Sequence, residues 1–195
     1  MNIRWLVLSP LILFLIIPAC GYNEIQGLDE DVKASWSEVE NQYQRRFDLV
    51  PNLVETVKGY AKHEKETLTA VVQARAQATQ TKLNVDSLSD PSAFKQFQRA
   101  QDTLGQTLSR LMVVVEKYPD LKANANFQDL AAQLEGTENR ITVSRKRYIE
   151  KVAEYNKLLR FFPSNLTNML LLHLKPRESF TISEESKKAP KVKFE

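Results

Sequence analysis

Few side chains in this sequence have the types and spacing that chemistry requires. The densest polar group runs from Asn41 to Asn52 and includes Asn41, Gln44, Arg45, Arg46 and Asn52. Two guanidiniums beside amides and Tyr43 can hold an anion such as a phosphate headgroup, because a guanidinium presents a fixed fork of N–H donors. The same residues also describe a solvated helix face, or a buried polar network that fixes helix register. No glycine-rich cradle accompanies the arginines. A second group is Glu138, Asn139 and Arg145, close to an apolar stripe. Glu138 and Arg145 share a helix face two turns apart. A Glu138 that points inward needs a basic partner, for which Arg45, Arg46 and Lys58 are the candidates. Such a pair serves register more than stability.

Neither group completes a catalytic set. Common hydrolysis needs two positioned carboxylates, a nucleophile with its base, or a metal. The chain has two histidines, His63 and His173, and one cysteine. An HExxH pair, a multi-cysteine zinc site and an intramolecular disulfide are therefore ruled out. His63-Glu64, beside Lys65 and Glu66, reads as an exposed charged turn, and His173 as a helix-end residue. The sequence thus predicts no enzyme, no metal and no cofactor. The net charge of +3, from 27 basic and 24 acidic residues, is too small to predict nucleic-acid binding.

The cysteine carries a different chemistry. Trp5 to Ala19 (WLVLSPLILFLIIPA) is apolar except for Ser9 and two prolines. As a helix it would rise about 22 Å, short of the ~30 Å hydrocarbon core, and Pro10 and Pro18 weaken a spanning helix further. A signal-peptide core of this length ends at small residues. Ile17-Pro18-Ala19-Cys20 looks like a lipoprotein cleavage site, with Cys20 the residue to be acylated. The alternative is an uncleaved transmembrane anchor with an incidental cysteine. Both readings leave Arg4 cytoplasmic and put residues 21–195 on the periplasmic or extracytoplasmic side, tethered to a membrane.

The elements that must position these residues are helices. Val32, Trp36, Val39, Tyr43, Val50, Val57, Leu68 and Val71 recur at helical spacings within Leu28–Gln80. A kink is expected at Pro51, with Asp48 or Asn52 satisfying freed backbone groups. As one helix this segment would outreach its partners by about 25 Å, giving a stalk or a fold-back at Pro51. Asp90-Pro91 opens a second helix with the stripe Phe94, Phe97, Gln101, Leu104, Leu108, Leu111, Val115 and Tyr118. A third, capped by Asn124 or Asn126, carries Phe127, Leu130, Leu134, Ile141, Tyr148, Val152, Tyr155, Leu159 and Phe162. Ser164 or Asn165 caps a short apolar helix, Leu166–Leu174, that closes the bundle end or offers a partner-binding or membrane-contact face. Five glycines, where average usage gives about 14, suit long helices with few turns.

The expected fold is all-α: a long antiparallel up-down bundle of three long helices, the first kinked at a proline, plus a short C-terminal helix. The expected segments are a signal peptide or membrane anchor over 1–19, a linker over 20–28, the bundle over 29–175, and a mobile charged tail over 176–195.

Asn41–Ala61 (NQYQRRFDLVPNLVETVKGYA) with His63-Glu64, Tyr118–Phe127 (YPDLKANANF), Glu138-Asn139, Tyr155-Asn156 and Phe162-Pro163-Ser164-Asn165 resemble the LemA family. Cys20–Gln26 (CGYNEIQ) is similar to its lipoprotein-like members. Tyr148-Ile149 departs from the family's Tyr-Asn, and the His173-Leu174-Lys175-Pro176 end from its usual small-residue pattern. The resemblance implies a bacterial, membrane-associated helical bundle with no established enzymatic activity and a poorly defined molecular function. Some members are linked to envelope proteases or magnetosome membrane proteins.

Together these readings predict a non-catalytic scaffold or adaptor of the bacterial cell envelope. Its partners would be the membrane, through a lipid or anchor helix, and an unidentified envelope protein, with homo-oligomerisation left open. The rival is a binder of anionic lipid headgroups or a small anionic ligand through an Arg45/Arg46 patch.

Overall fold

A computed structural model describes residues 21–181. Cys20 and the expected signal or anchor segment lie outside the described residues, as does 182–195. The chain forms α1 (Tyr22–Tyr60), α2 (Lys65–Gln80), a 3-10 turn (Val85–Ser89), α3 (Pro91–Val115), α4 (Pro119–Lys122), α5 (Ala125–Leu158) and α6 (Ser164–Thr167), the last running into a π turn, Asn168–Leu172. Among the described residues there is no strand.

The two longest helices, α1 and α5, pack antiparallel. The direction is visible in their cross-pairs: Asp31 with Lys151, Glu38 with Arg147, Arg46 with Glu138 and Tyr60 with Asn124. Helices α2 and α3 form an antiparallel pair laid against α1, and helices α1 to α5 share one core. The fold is the expected all-α antiparallel bundle, and the three stripes form its core. Every member of the first is buried. In the third, Phe162 departs: it is 75% exposed.

The first segment divides, but not at Pro51. Helix α1 continues through the proline and stops at Tyr60, and the chain turns over Ala61–Glu64. Ala61 leaves helical geometry (φ −114°, ψ 59°) while its N–H still donates to the Val57 carbonyl. The charges agree with a break here, with Lys58 in the last turn of α1 and Glu66 in the first turn of α2, each complementing its helix dipole. The carbonyl that Pro51 leaves without a donor is that of Phe47, four residues back. Neither Asp48 nor Asn52 supplies the missing bond. Arg75 of α2 donates its Nε–H to this oxygen at 2.8 Å.

The caps follow local chemistry. The Asp90 carboxylate accepts from the N–H groups of Ser92 and Ala93, with Pro91 as first helical residue. Of the two asparagines expected to cap the third helix, Asn124 does so, accepting from the Phe127 N–H at 3.0 Å. Helix α6 begins after Pro163 without a side-chain cap.

The ends of the bundle differ from expectation in two places. Residues 22–28, expected as linker, are the first two turns of α1. Gly21 precedes them at φ 93°, a left-handed conformation, and a Cβ there would lie 2.5 Å from the Ser164 hydroxyl. Residues 176–181, expected to begin a mobile tail, are fastened to the bundle. Asn156 exchanges two 2.9 Å hydrogen bonds with the backbone of Arg177. The Glu178 N–H donates to the Leu88 carbonyl at 2.7 Å, and Phe180 is buried among Trp36, Phe94 and Tyr148. The buried ring acts together with these backbone hydrogen bonds, because ordering six residues costs more than one aromatic side chain recovers.

Candidate functional site

Arg46 is the most enclosed charge of the predicted polar group, 3% exposed, on α1 halfway along the bundle. Its Nη1 donates to both carboxylate oxygens of Glu138 on α5, at 3.0 and 3.3 Å. Its Nη2 donates to the Gln101 side-chain oxygen on α3 at 2.6 Å. Three helices are thereby fixed in register by one guanidinium. Arg46 also lies 5.0 Å from the centre of the Tyr43 ring, a cation–π distance.

This seam forms the floor of a groove of about 620 Å³ between α1, α3 and α5. Asp102 and Arg145 line it as well. Burial raises the Asp102 carboxyl above the usual range, against the pull of Arg145 and Arg46. Burial likewise raises the Tyr43 phenol. Arg145 stacks 4.2 Å above the Phe180 ring and has no ion pair among the described residues. Three buried atoms at the groove lack hydrogen-bond partners: Tyr43 Oη, Arg46 Nε and Gln101 Nε2. All three can donate. With Arg110 at the rim, the lining arginines outnumber the lining carboxylates by one.

The structure thus brings together Arg46, Glu138 and Arg145 of the predicted residues. It does not bring Arg45 to Arg46, because successive helical residues point about 100° apart. Arg45, Asn41, Gln44, Asn52 and Asn139 are all exposed, and Gln44 donates to Asp48 one turn on at 2.8 Å. The expected Arg45/Arg46 patch is therefore not a surface feature. Asp102 and the role of Gln101 were missed as site residues. The signal was Gln101 itself, the only polar member of an otherwise apolar stripe, since a buried amide needs a polar partner. A buried ion pair, Arg177 Nη2 to Asp29 Oδ1 at 3.0 Å, joins the C-terminal segment to the start of α1. Asp29 occupies a core position of the α1 stripe between Ile25 and Val32, which marks it in retrospect. Burial alone would raise its carboxyl, but hydrogen bonds from Lys33 and Arg177 hold it below the usual range.

His63 is exposed in the turn after α1, and His173 ends the π turn in left-handed conformation (φ 52°). Among the described residues no group of His, Cys, Asp and Glu could hold a metal ion. No described helix is long and apolar enough to cross a membrane.

An elongated all-α bundle whose three longest helices meet at one buried arginine, Arg46, defines the class of this protein. The particular family follows from comparison: the chain belongs to the LemA family, whose model matches residues 35–194. LemA is not a known enzyme family. The chain is similar to the magnetosome protein MamQ of Magnetospirillum gryphiswaldense, 27% identical over 82% of this chain and 65% of the relative. It is also similar to the magnetosome proteins MamQ 1 and MamQ 2 of Paramagnetospirillum magneticum, each 26% identical over 74% of this chain and 59% of the relative. The chain therefore spans less than two thirds of the length of these relatives.

Proposed function

We propose that this protein is a membrane-tethered, non-catalytic scaffold or adaptor of the bacterial cell envelope, with its bundle on the extracytoplasmic side. The observation that carries the reading is LemA membership together with relatives named as magnetosome proteins. The N-terminal sequence supports it: an apolar segment, Trp5–Ala19, is followed by Cys20, two residues before the first helix. Mass spectrometry of the N-terminus from purified membranes tests the tether. A diacylated or triacylated peptide starting at Cys20 establishes a lipoprotein, an intact Met1 with free Cys20 an anchor helix, and recovery of the chain outside the membrane fraction ends the reading. Photo-crosslinking from exposed positions in intact cells tests the adaptor role, which fails if no specific partner is recovered.

One observation favours a second reading, a binder of a small anion. Arg145, without an ion pair among the described residues, lines the groove over Arg46, and three buried unpartnered donors belong to residues that line it. The site would be this groove and not Arg45. Titration of benzoate and of inorganic phosphate into the full chain in detergent, followed by ligand NMR, tests it. Saturable broadening that Arg145→Gln abolishes supports the reading; no broadening with either anion ends it.

A further inference from the structure

The bundle end formed by the α5–α6 junction and the π turn exposes five large apolar side chains within eleven residues. Phe161, Phe162, Met169, Leu170 and Leu171 are between 54% and 75% exposed. Elsewhere exposed apolar residues are scattered singly, as at Val113 and Val143, which is ordinary for a protein surface. A concentration of this kind at one end marks an interaction surface. Two observations say what covers it. Gly21 lies against Ser164, so the chain enters the bundle beside this patch, and the largely apolar fifteen-residue segment Trp5–Ala19 precedes it in sequence, separated by Cys20 alone. The exposed charges on the flanking turns include Lys157, Arg160 and Lys175, with the Lys157 ammonium 5.2 Å from the Phe161 ring. Apolar side chains rimmed by lysine and arginine match the boundary between acyl chains and anionic headgroups.

We infer that this end of the bundle is a membrane seat: Phe161, Phe162 and Met169–Leu171 enter the lipid interface while Lys157, Arg160 and Lys175 meet anionic headgroups. The inference rests on the tether proposed above and adds an orientation to it. The long axis of α1 and α5 stands away from the membrane, with the Tyr60–Asn124 end farthest from it. A simple tether leaves the bundle free to tumble; a seat fixes which end faces lipid.

The test uses the full chain reconstituted into vesicles of phosphatidylethanolamine and phosphatidylglycerol, with a photoreactive amino acid at position 170 or, separately, at Val113 on the opposite end. Lipid adducts at 170 should exceed those at 113 by about tenfold or more, as expected for a side chain in the interface against one in water. In the variant Phe162→Ser/Met169→Ser/Leu171→Ser the chain should still float with the vesicles, keep its helical circular dichroism, and give adducts at 170 no more often than at 113. Flotation with equal adduct yields at 170 and 113 in the otherwise unsubstituted chain overturns the seat and leaves the tether standing. Loss of flotation in that chain overturns both. Protein–protein adducts at 170 in place of lipid adducts assign the patch to a second copy and overturn the seat.

Discussion

The side chain of Arg75 completes the backbone of a helix to which it does not belong. Its Nε–H reaches the Phe47 carbonyl of α1 at 2.8 Å, the acceptor left empty by Pro51. Arg75→Met should therefore remove one hydrogen bond and leave a carbonyl unpaired at the α1–α2 contact, costing about 1–2 kcal/mol. Pro51→Ala restores an N–H at the right place. In the double variant the Arg75→Met penalty should shrink by more than half. Urea denaturation of the four proteins measures this coupling, and additive effects would show that Arg75 acts by packing alone.

The Arg46–Glu138 pair should couple strongly although Glu138 is partly open to solvent. Hydrogen bonds to charged groups contribute about 1.5–3 kcal/mol, and Arg46 has almost no access to water. A cycle of Arg46→Met, Glu138→Gln and the double variant should give a coupling of about 1–3 kcal/mol. Glu138→Gln should be the milder single change, because the amide oxygen still accepts from Arg46.

Asp102 offers a change in the opposite direction. Burial raises its carboxyl pKa in the folded protein, and the pull of Arg145 and Arg46 does not cancel this. A carboxyl whose folded pKa lies above its unfolded value loses stability as pH rises through that interval, and the whole cost is present at neutral pH. Asp102→Asn should therefore stabilise the protein at pH 7 and have less effect below pH ~4. A melting series over pH would refute this by showing a loss at pH 7.

Acid should loosen the C-terminal segment before the bundle. Arg177 and Lys33 hold the Asp29 carboxyl below its usual range despite burial. A depressed folded pKa gives stability that is present above the unfolded value, near 3.9, and is lost as pH falls through the folded one. Exchange protection of the Glu178 amide, which donates to Leu88, should fall below pH ~4 while that of Tyr148 in α5 persists. Asp29→Asn should make the Glu178 amide exchange faster at neutral pH and remove the acid dependence.

Phe180 should be worth as much as a residue of the helices. Its ring lies 5.0 Å from that of Phe94 and 5.7 Å from that of Tyr148. Phe180→Ala is expected to cost about 3 kcal/mol and to release residues 176–181 from the surface, read as protease cleavage after Arg177.

Most of the fold was legible because helical burial writes a period into the sequence, and residues such as Val32, Trp36, Val39 and Tyr43 obey it. The turn at Ala61–Glu64 was hidden by the same period. Val57 and Leu68 are eleven residues apart, close to three helical turns, so the stripe passes across the break unbroken. The pairing of Arg46 with Glu138 was anticipated as one of three options, since an inward carboxylate demands a cation but does not say which. Arg45 and Arg46 look like one patch in sequence because adjacency says nothing about which face a residue occupies until the phase of the helix is known. The packing of Phe180 left no periodic trace at all. A single aromatic among charged residues is an unremarkable sequence feature, and only the pocket formed by three helices gives it a place.

The cross-pairs between α1 and α5 have a mechanical consequence. Asp31–Lys151, Glu38–Arg147 and Arg46–Glu138 are strung along two antiparallel rods. A pull at Gly21 against a load at the Tyr60 end of α5 acts along the rods and strains all three pairs at once. A pull that separated the rods sideways would break them one after another. The bundle is built as a strut, stiffest in the direction in which a force between its two ends would act.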